Sequence, residues 1–169
     1  MRFLVLLSLL IALPAVAQPT PPSCDTEAHA LMDFWIGEWA LTWTNADGTE
    51  GHGTNVITRT YNGCVLHESF VDPTGFEGMS VSTLDRRTGQ WRQTWVDNQS
   101  AFLLFTGNQL ENGEMEFRSA SFTDQQGNTR INRMTWKDVT DETFDWHWQT
   151  STDEGATWTN MWVIHYARR

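Results

Sequence analysis

From Gly37 onward the chain alternates apolar and polar residues with a period of two, the pattern of half-buried β-strands. Candidate strands lie near 38–45, 52–61, 64–71, 76–85, 90–97, 100–109, 114–123, 129–139, 143–151 and 158–167. Short segments with Gly, Asn, Asp or Pro separate them, and short links join antiparallel neighbours. This pattern predicts an all-β fold, an up-and-down antiparallel barrel of about ten strands; a β-sandwich is the alternative.

The segment 91–98 lies near the middle of the chain and carries the clearest alternation. One face of this strand holds Trp91, Gln93, Trp95 and Asp97. Two large rings with an amide between them fit an inward face, because the rings bury and the amide can hydrogen-bond a bound molecule. We therefore interpret these four residues as candidate ligand-binding residues.

Other strands add rings and a few polar groups to the same interior. Trp39 and Trp43 share a face of the first strand, and Trp148 lies on a late strand. Asn55 and Glu68 fall on apolar faces of their strands. An interior with many rings and few polar groups is typical of a pocket for a small apolar ligand. A filled barrel whose polar residues satisfy one another is the alternative.

The N-terminus has the features of an export signal over residues 1–17: a basic residue, a short apolar run and an Ala-Val-Ala cleavage site. Residues 18–25 are rich in proline and predict an extended tether. The barrel domain is expected over 26–169, beginning with a short helix over 26–35 that Thr26 can cap. The expected location is the periplasm or the exterior of the cell.

The net charge and the cysteine content limit the classes of partner and cofactor that we expect this chain to bind. The net charge of −10 argues against binding to nucleic acid or to an anionic membrane surface. In an exported chain the two cysteines, Cys24 and Cys64, predict a disulfide. Without a cluster of Cys and His at metal spacing, we expect no metal site and no cofactor.

Residues 151–158 match the Asp-box pattern S-x-D-x-G-x-T-W, which is known from sialidases and other propellers. The pattern predicts a hairpin held by side-chain hydrogen bonds and indicates no chemistry. Trp158 has the parity of Trp162 and Tyr166, so we expect it to face inward. His147 and His165 have the opposite parity to neighbouring aromatic residues and should face solvent.

Glu68 and Asp97 are the two carboxylates suited to general acid–base chemistry, because each lies on an apolar face where its pKa could rise. The structural alternative is a buried hydrogen bond to Arg59, Arg133 or a backbone amide.

Several segments resemble a large family of uncharacterised bacterial proteins with a calycin-like, lipocalin-type barrel. They are 33–39 (DFWIGEW), 63–66 (GCVL) with Glu68, 91–97 (WRQTWVD), Asn55 with Ile57, and 151–158 with Tyr166. The resemblance implies the barrel fold and no established reaction. More distantly similar barrels include fatty-acid-binding proteins and nitrobindins, whose haem ligand is a histidine near the C-terminus. His165 has that position, but the surrounding motif differs.

These observations favour an exported, non-catalytic barrel that binds a small, largely apolar molecule. The alternatives are a barrel hydrolase or isomerase that uses Glu68 or Asp97, a structural barrel with a filled core, and haem binding. The strand over 100–106 is apolar on both faces, so we expect the N-terminal helix or a second copy of the chain, in a homodimer, to cover its outside.

Overall fold

Eleven β-strands follow one another in the described part of the chain, and all their pairings are antiparallel. The computed structural model describes residues 23–169. Its strands are β1 (Gly37–Thr44), β2 (Glu50–Thr60), β3 (Val65–Val71), β4 (Glu77–Asp85), β5 (Gln90–Asp97), β6 (Phe102–Gln109), β7 (Met115–Ser119), β8 (Phe122–Thr123), β9 (Thr129–Lys137), β10 (Thr143–Ser151) and β11 (Thr159–Arg168).

Ten of these strands close into a barrel. β1 pairs with both β2 and β11, and β9 pairs with both β7 and β10, so the sheet returns on itself. The two-residue β8 pairs with the start of β9 and is an extra strand. The predicted up-and-down antiparallel barrel is therefore confirmed. The predicted strand over 114–123 is divided into β7 and β8.

The N-terminal segment is less regular than the single helix expected over 26–35. It forms α1 (Glu27–Ala30) and then a 3-10 helix, Asp33–Trp35. The Thr26 hydroxyl bonds a ring nitrogen of His29 at 2.7 Å and caps no backbone amide. The break lets Met32 and Trp35 bury fully. The expected signal peptide and most of the proline-rich tether lie outside the described residues.

A disulfide joins Cys24 to Cys64, as predicted, with an S–S distance of 2.01 Å. It fastens the segment before α1 to the turn between β2 and β3. Arg59 supports the same junction: it donates to the Gly63 carbonyl at 2.8 Å and forms an ion pair with Asp33. A disulfide of this kind indicates an oxidising, non-cytoplasmic compartment.

Aromatic residues fill the barrel at the end that the N-terminal segment closes. Trp35, Trp136 and Phe117 are fully buried, and Trp136 meets each of the other two edge to face with ring centroids 5.4 Å apart. Trp39 packs against Phe144 in the same manner at 4.8 Å. Such edge-to-face pairs stabilise a core beyond the area they bury.

The Asp-box forms the turn of the β10–β11 hairpin, and its contacts agree with the structural interpretation. Asp153 accepts hydrogen bonds from the Thr157 amide at 2.9 Å and from the Ser151 hydroxyl at 2.7 Å. The expectation that Trp158 faces inward is wrong. A β-bulge between the pairs Trp148–Trp162 and Gln149–Asn160 changes the parity of β11, and Trp158 packs under the guanidinium of Arg133.

The outer face of β6 presents large apolar side chains to solvent. Phe102 is 67 % exposed and Leu104 is 57 % exposed. The N-terminal segment does not cover them, because α1 packs against Trp91 through His29 at the closed end. That alternative is therefore wrong, and the homodimer stays a prediction. No helix among residues 23–169 is long and apolar enough to cross a membrane.

Candidate functional site

The barrel encloses a cavity of about 220 Å³. Its lining is mostly aromatic and aliphatic, with three polar side chains. The lining residues are Trp35, Glu68, Phe70, Phe76, Gln93, Trp95, Leu103, Phe105, Met134, Trp146, Trp148, Trp162, Ile164 and Tyr166. The interior is thus filled with rings at one end and open at the other, which combines the two alternatives that the sequence left.

The two ends of the cavity differ in exposure. Trp35 and Ile164 are 1 % exposed and lie deep in the barrel. Phe76, Trp95 and Leu103 are only partly buried, and each lies near the turns that join β3 to β4 or β5 to β6. The cavity therefore opens at the end opposite the N-terminal segment.

A buried polar cluster lies at the inner part of the cavity, centred on Glu68 of β3. Asn55 of β2 donates to Glu68 Oε1 at 2.7 Å, and the Ser80 hydroxyl of β4 lies 2.5 Å from Oε2. Asn55 also donates to the Tyr166 hydroxyl of β11 at 3.0 Å. Gln93 of β5 donates to Ser80 at 3.2 Å. Residues of four other strands thus form one network around the Glu68 carboxyl, which Asn55 and Ser80 bond directly and Tyr166 and Gln93 reach through them.

The environment of Glu68 favours its neutral form. Burial raises the pKa of the carboxyl above its ordinary value, and the hydrogen bonds from Ser80 and Asn55 offset this only in part. Within residues 23–169, neither a cation nor a histidine lines the cavity. The interior can therefore offer a carboxyl group that is ready to exchange a proton.

The Tyr166 hydroxyl is the second titratable group at this position. Burial raises its pKa above the ordinary tyrosine value, and the neighbouring Glu68 carboxyl raises it further, while the hydrogen bond from Asn55 acts against both. Tyr166 therefore remains a neutral phenol at physiological pH. The side-chain oxygen Oδ1 of Asn55 is buried without a hydrogen-bond partner, and so is the Ser82 hydroxyl.

Four of the predicted site residues line the cavity: Glu68, Gln93, Trp95 and Trp148. Asn55 lies behind Glu68 and positions it. The predicted inward face of β5 is correct for Trp91, Gln93 and Trp95, since Trp91 and Gln93 are buried and Trp95 packs against the core.

Three predicted wall residues lie elsewhere in the interior. Trp39 is fully buried and donates its indole N–H to the Trp35 carbonyl at 2.9 Å. Trp91 donates to the Ala28 carbonyl at 3.3 Å, which holds α1 on the barrel. Trp43 packs edge to face on Trp162 beyond the cavity lining. These three rings pack in or against the core and do not line the cavity.

Asp97 lacks the raised pKa that the sequence suggested for it. Burial opposes its ionisation, but the Trp95 indole N–H and the amides of Ala101 and Gln99 outweigh burial and hold its pKa below the ordinary value. The indole N–H lies 2.9 Å from Asp97 Oδ2. The expectation of a raised pKa fails because β5 ends at Asp97, where the turn supplies amide donors. Asp97 instead orients the ring of Trp95.

Several lining residues were absent from the predicted site. Trp146, Trp162 and Tyr166 share the inward parity of their strands, so alternation alone could have placed them. Ser80, which hydrogen-bonds Glu68, was also absent from the predicted site, because a serine in a strand usually indicates nothing specific. A buried Glu68 needs a hydrogen-bond partner, and that need was the one clue to Ser80 in the sequence.

A glycine makes room for the ring at the mouth of the cavity. Gly78 pairs with Asp97 across β4 and β5. A Cβ atom at Gly78 would overlap the six-membered ring of Trp95. The absence of a side chain at this position therefore lets Trp95 lie flat over the neighbouring strand.

The histidines lie apart from the cavity. His165 is exposed, as its parity predicts, and hydrogen-bonds Asp145 at 2.7 Å across β10 and β11. His147 is half-buried and contacts Asn160 at 3.3 Å. In the part of the chain that the structure describes, no group of three His, Cys, Asp or Glu residues could hold a metal ion. Haem ligation by His165 inside the barrel therefore has no geometric support.

Comparison with known proteins gives no matching family model and no curated protein with significant sequence similarity. The resemblance to the calycin-like family stays a prediction, and function is argued from the cavity.

Proposed function

We propose that this chain is an exported, lipocalin-like barrel that binds a small, largely apolar molecule in its interior. The observation that carries the proposal is the aromatic cavity of about 220 Å³ with one accessible end. Engineered apolar cavities of about 150 Å³ hold a benzene ring, so this volume accommodates a ring with a short chain.

The chemistry of the lining supports binding. Apolar walls supply the free energy of transfer from water, and the few polar groups orient the ligand. Gln93 and Glu68 are the two polar side chains that would do so. Export, to the periplasm or the exterior, is supported by the signal-like residues 1–17 and by the Cys24–Cys64 disulfide.

Titration with an apolar fluorescent probe tests the proposal. Trp95, Trp146, Trp148 and Trp162 line the cavity, so a bound probe should quench tryptophan emission. A matched variant, Trp43→Phe, changes a tryptophan that lies outside the lining and should keep the probe affinity of the wild type. Failure of the wild type to bind probes of several sizes would contradict the proposal.

A barrel enzyme is the second candidate, and one observation favours it: the pKa of Glu68 is raised by burial beside the neutral Tyr166 hydroxyl. A carboxyl group with such a pKa suits proton transfer. The two candidates differ in the fate of the bound molecule. Mass spectrometry should recover a ligand unchanged from a binding protein, and a new product that disappears in Glu68→Gln would instead identify an enzyme.

A further inference from the structure

The polar lining of the cavity selects against anions. Its polar side chains are Glu68, Gln93 and Tyr166, and no Arg, Lys or His of residues 23–169 joins them. A ligand carboxylate would lose its hydration without gaining a cation, beside a carboxyl group of the protein. The cavity therefore differs in charge from a site built for fatty acids or other organic anions.

Aromatic rings in several orientations line the cavity. Trp146 stacks on Trp148 with centroids 6.2 Å apart, and Trp162 meets Trp146 edge to face at 6.0 Å. Phe70 meets both Trp162 and Trp95 edge to face, at 6.0 and 6.3 Å. Ring faces attract cations, so walls of this kind favour a cationic ligand over an anionic one.

We propose that the ligand is a small hydrophobic amine, bound as its ammonium ion with the nitrogen directed toward Glu68 and the apolar body among the tryptophans. This inference rests on the proposed function, since it names the class of molecule that the cavity binds. A carboxyl group and aromatic walls in one cavity, which no cation of residues 23–169 lines, are the features that carry it.

Binding of such an ion is coupled to a proton. The groups that face Glu68 are Asn55 from β2, Ser80 from β4, Tyr166 from β11 and, through Ser80, Gln93 from β5. All of them are neutral, so no charged neighbour favours the carboxylate, and in the proposed cycle Glu68 of the empty barrel carries a proton. When an ammonium ion enters, the O–H bond of Glu68 breaks and the proton leaves to solvent. The carboxylate then pairs with the ammonium, and the charge of the interior stays at zero.

Three probes with one apolar body separate the possible ligand classes: phenethylamine, phenethyl alcohol and phenylacetate. The amine has a pKa of about 10 and remains an ammonium ion near neutral pH. We expect the wild type to bind the amine at least about tenfold more tightly than the alcohol, a difference of about 1.4 kcal/mol, and phenylacetate most weakly.

Two measurements assign the preference to Glu68. The affinity for phenethylamine should rise with pH, and calorimetry in buffers of different ionisation enthalpy should detect a released proton. Glu68→Gln keeps the shape and removes the charge, so the amine-to-alcohol affinity ratio should fall about tenfold. Near-ultraviolet circular dichroism from the stacked Trp146 and Trp148 verifies that the variant is folded.

The outcomes separate this inference from the proposed function. Wild-type protein that binds the alcohol as tightly as the amine, or releases no proton, overturns the amine and leaves the binding barrel standing. Tight binding of phenylacetate has the same consequence. Wild-type protein that binds none of the three probes overturns the amine, and failure to bind apolar fluorescent probes of several sizes as well overturns both. The wild-type measurements decide the matter even if Glu68→Gln does not fold.

Discussion

The guanidinium carbon of Arg133 lies 4.1 Å from the centroid of the Trp158 ring. Arg133 in turn donates to Glu116 at 2.8 Å and to Gln149 at 2.7 Å. The hairpin that carries the Asp-box is thereby attached to the outer face of β9, away from the cavity. The stability of this hairpin and the binding of a ligand should consequently vary independently.

Asp153→Ala tests that independence. The variant removes the acceptor for the Thr157 amide and for the Ser151 and Thr157 hydroxyls, so the melting temperature should fall while probe affinity, measured well below the melt, stays at the wild-type value. Exposed Thr152→Ala is the control. A large loss of affinity at unchanged stability would show that the hairpin belongs to the site.

The same carboxylate predicts a loss of stability in acid. Hydrogen bonds from Thr157 and Ser151 lower the pKa of Asp153 from 3.8 to about 2. A lowered pKa in the folded state contributes stability above the unfolded value, and this contribution is lost as pH falls through about 2. The melting temperatures of wild type and Asp153→Ala should therefore converge between pH 3.8 and about 2.

Glu68 predicts the opposite pH dependence. Its folded pKa is raised above 4.5, so its contribution is fully present below pH 4.5 and is lost as pH rises toward the folded pKa. The slope is at most about 1.4 kcal/mol per pH unit. Denaturant unfolding of wild type and Glu68→Gln at several pH values should show this slope in the wild type alone.

His29 also contributes to the pH dependence of stability. Its contribution cancels when wild type is compared with Glu68→Gln, because both proteins contain it. Burial lowers the pKa of its ring, and the charges of Arg59 and Arg86 lower it further. Its contribution is present above pH 6.5 and is lost as pH falls, equally in both proteins. A wild-type curve parallel to that of Glu68→Gln would show that folding does not raise the pKa of Glu68.

Gly78→Ala should close the mouth of the cavity. The added methyl group overlaps the Trp95 ring, so the ring must move, and overpacking of this kind costs about 1–3 kcal/mol. Gly107→Ala is a matched control, since its Cβ would lie 2.6 Å from Phe117, which does not line the cavity. Both variants should lose stability, and Gly78→Ala alone should lose probe affinity.

Gln93→Leu should separate ligands by their head groups. The variant loses an amide that donates to Ser80 and lines the cavity, so ligands with a polar head should bind about 1–3 kcal/mol more weakly. Trp95→Ala should instead weaken apolar probes and cost about 3 kcal/mol of stability. Equal losses for polar and apolar probes in Gln93→Leu would contradict the orienting role of the amide.

Cys64→Ser should destabilise the fold by about 4 kcal/mol, because the disulfide closes a loop with a sequence separation of 40 residues. Wild-type protein in reductant should behave like the variant. Two alkylatable thiols in native, unreduced protein would contradict the pairing.

The sequence predicted the barrel because alternation and turn residues act locally. Gln93 and Trp95 were placed correctly since the parity of β5 is unbroken to its end. Trp158 was placed on the wrong face because the bulge in the β10–β11 hairpin changes the alternation of β11. No residue type in the sequence predicts a bulge at that position.

The alternation of residues could not predict which part of the barrel interior is filled and which part is an open cavity. Trp39 and Trp148 both face inward, yet Trp39 is fully buried among other rings and Trp148 lines the cavity. The difference depends on height along the barrel axis and on Trp35, which fills the closed end from outside the sheet. Asp97 differed from expectation for a related reason, because a turn begins at its position.

Trp35 and the segment that the disulfide fastens close one end of the barrel, so the cavity formed by residues 23–169 opens at the other end only. A molecule that enters must leave by the same mouth, and water must pass it there in the opposite direction. Ligand exchange is thus sequential, because a bound molecule must dissociate before the next one can bind. The residence time of a ligand should therefore depend on the motion of Phe76 and Trp95, the two rings beside the opening. It should depend less on how deeply the ligand is buried.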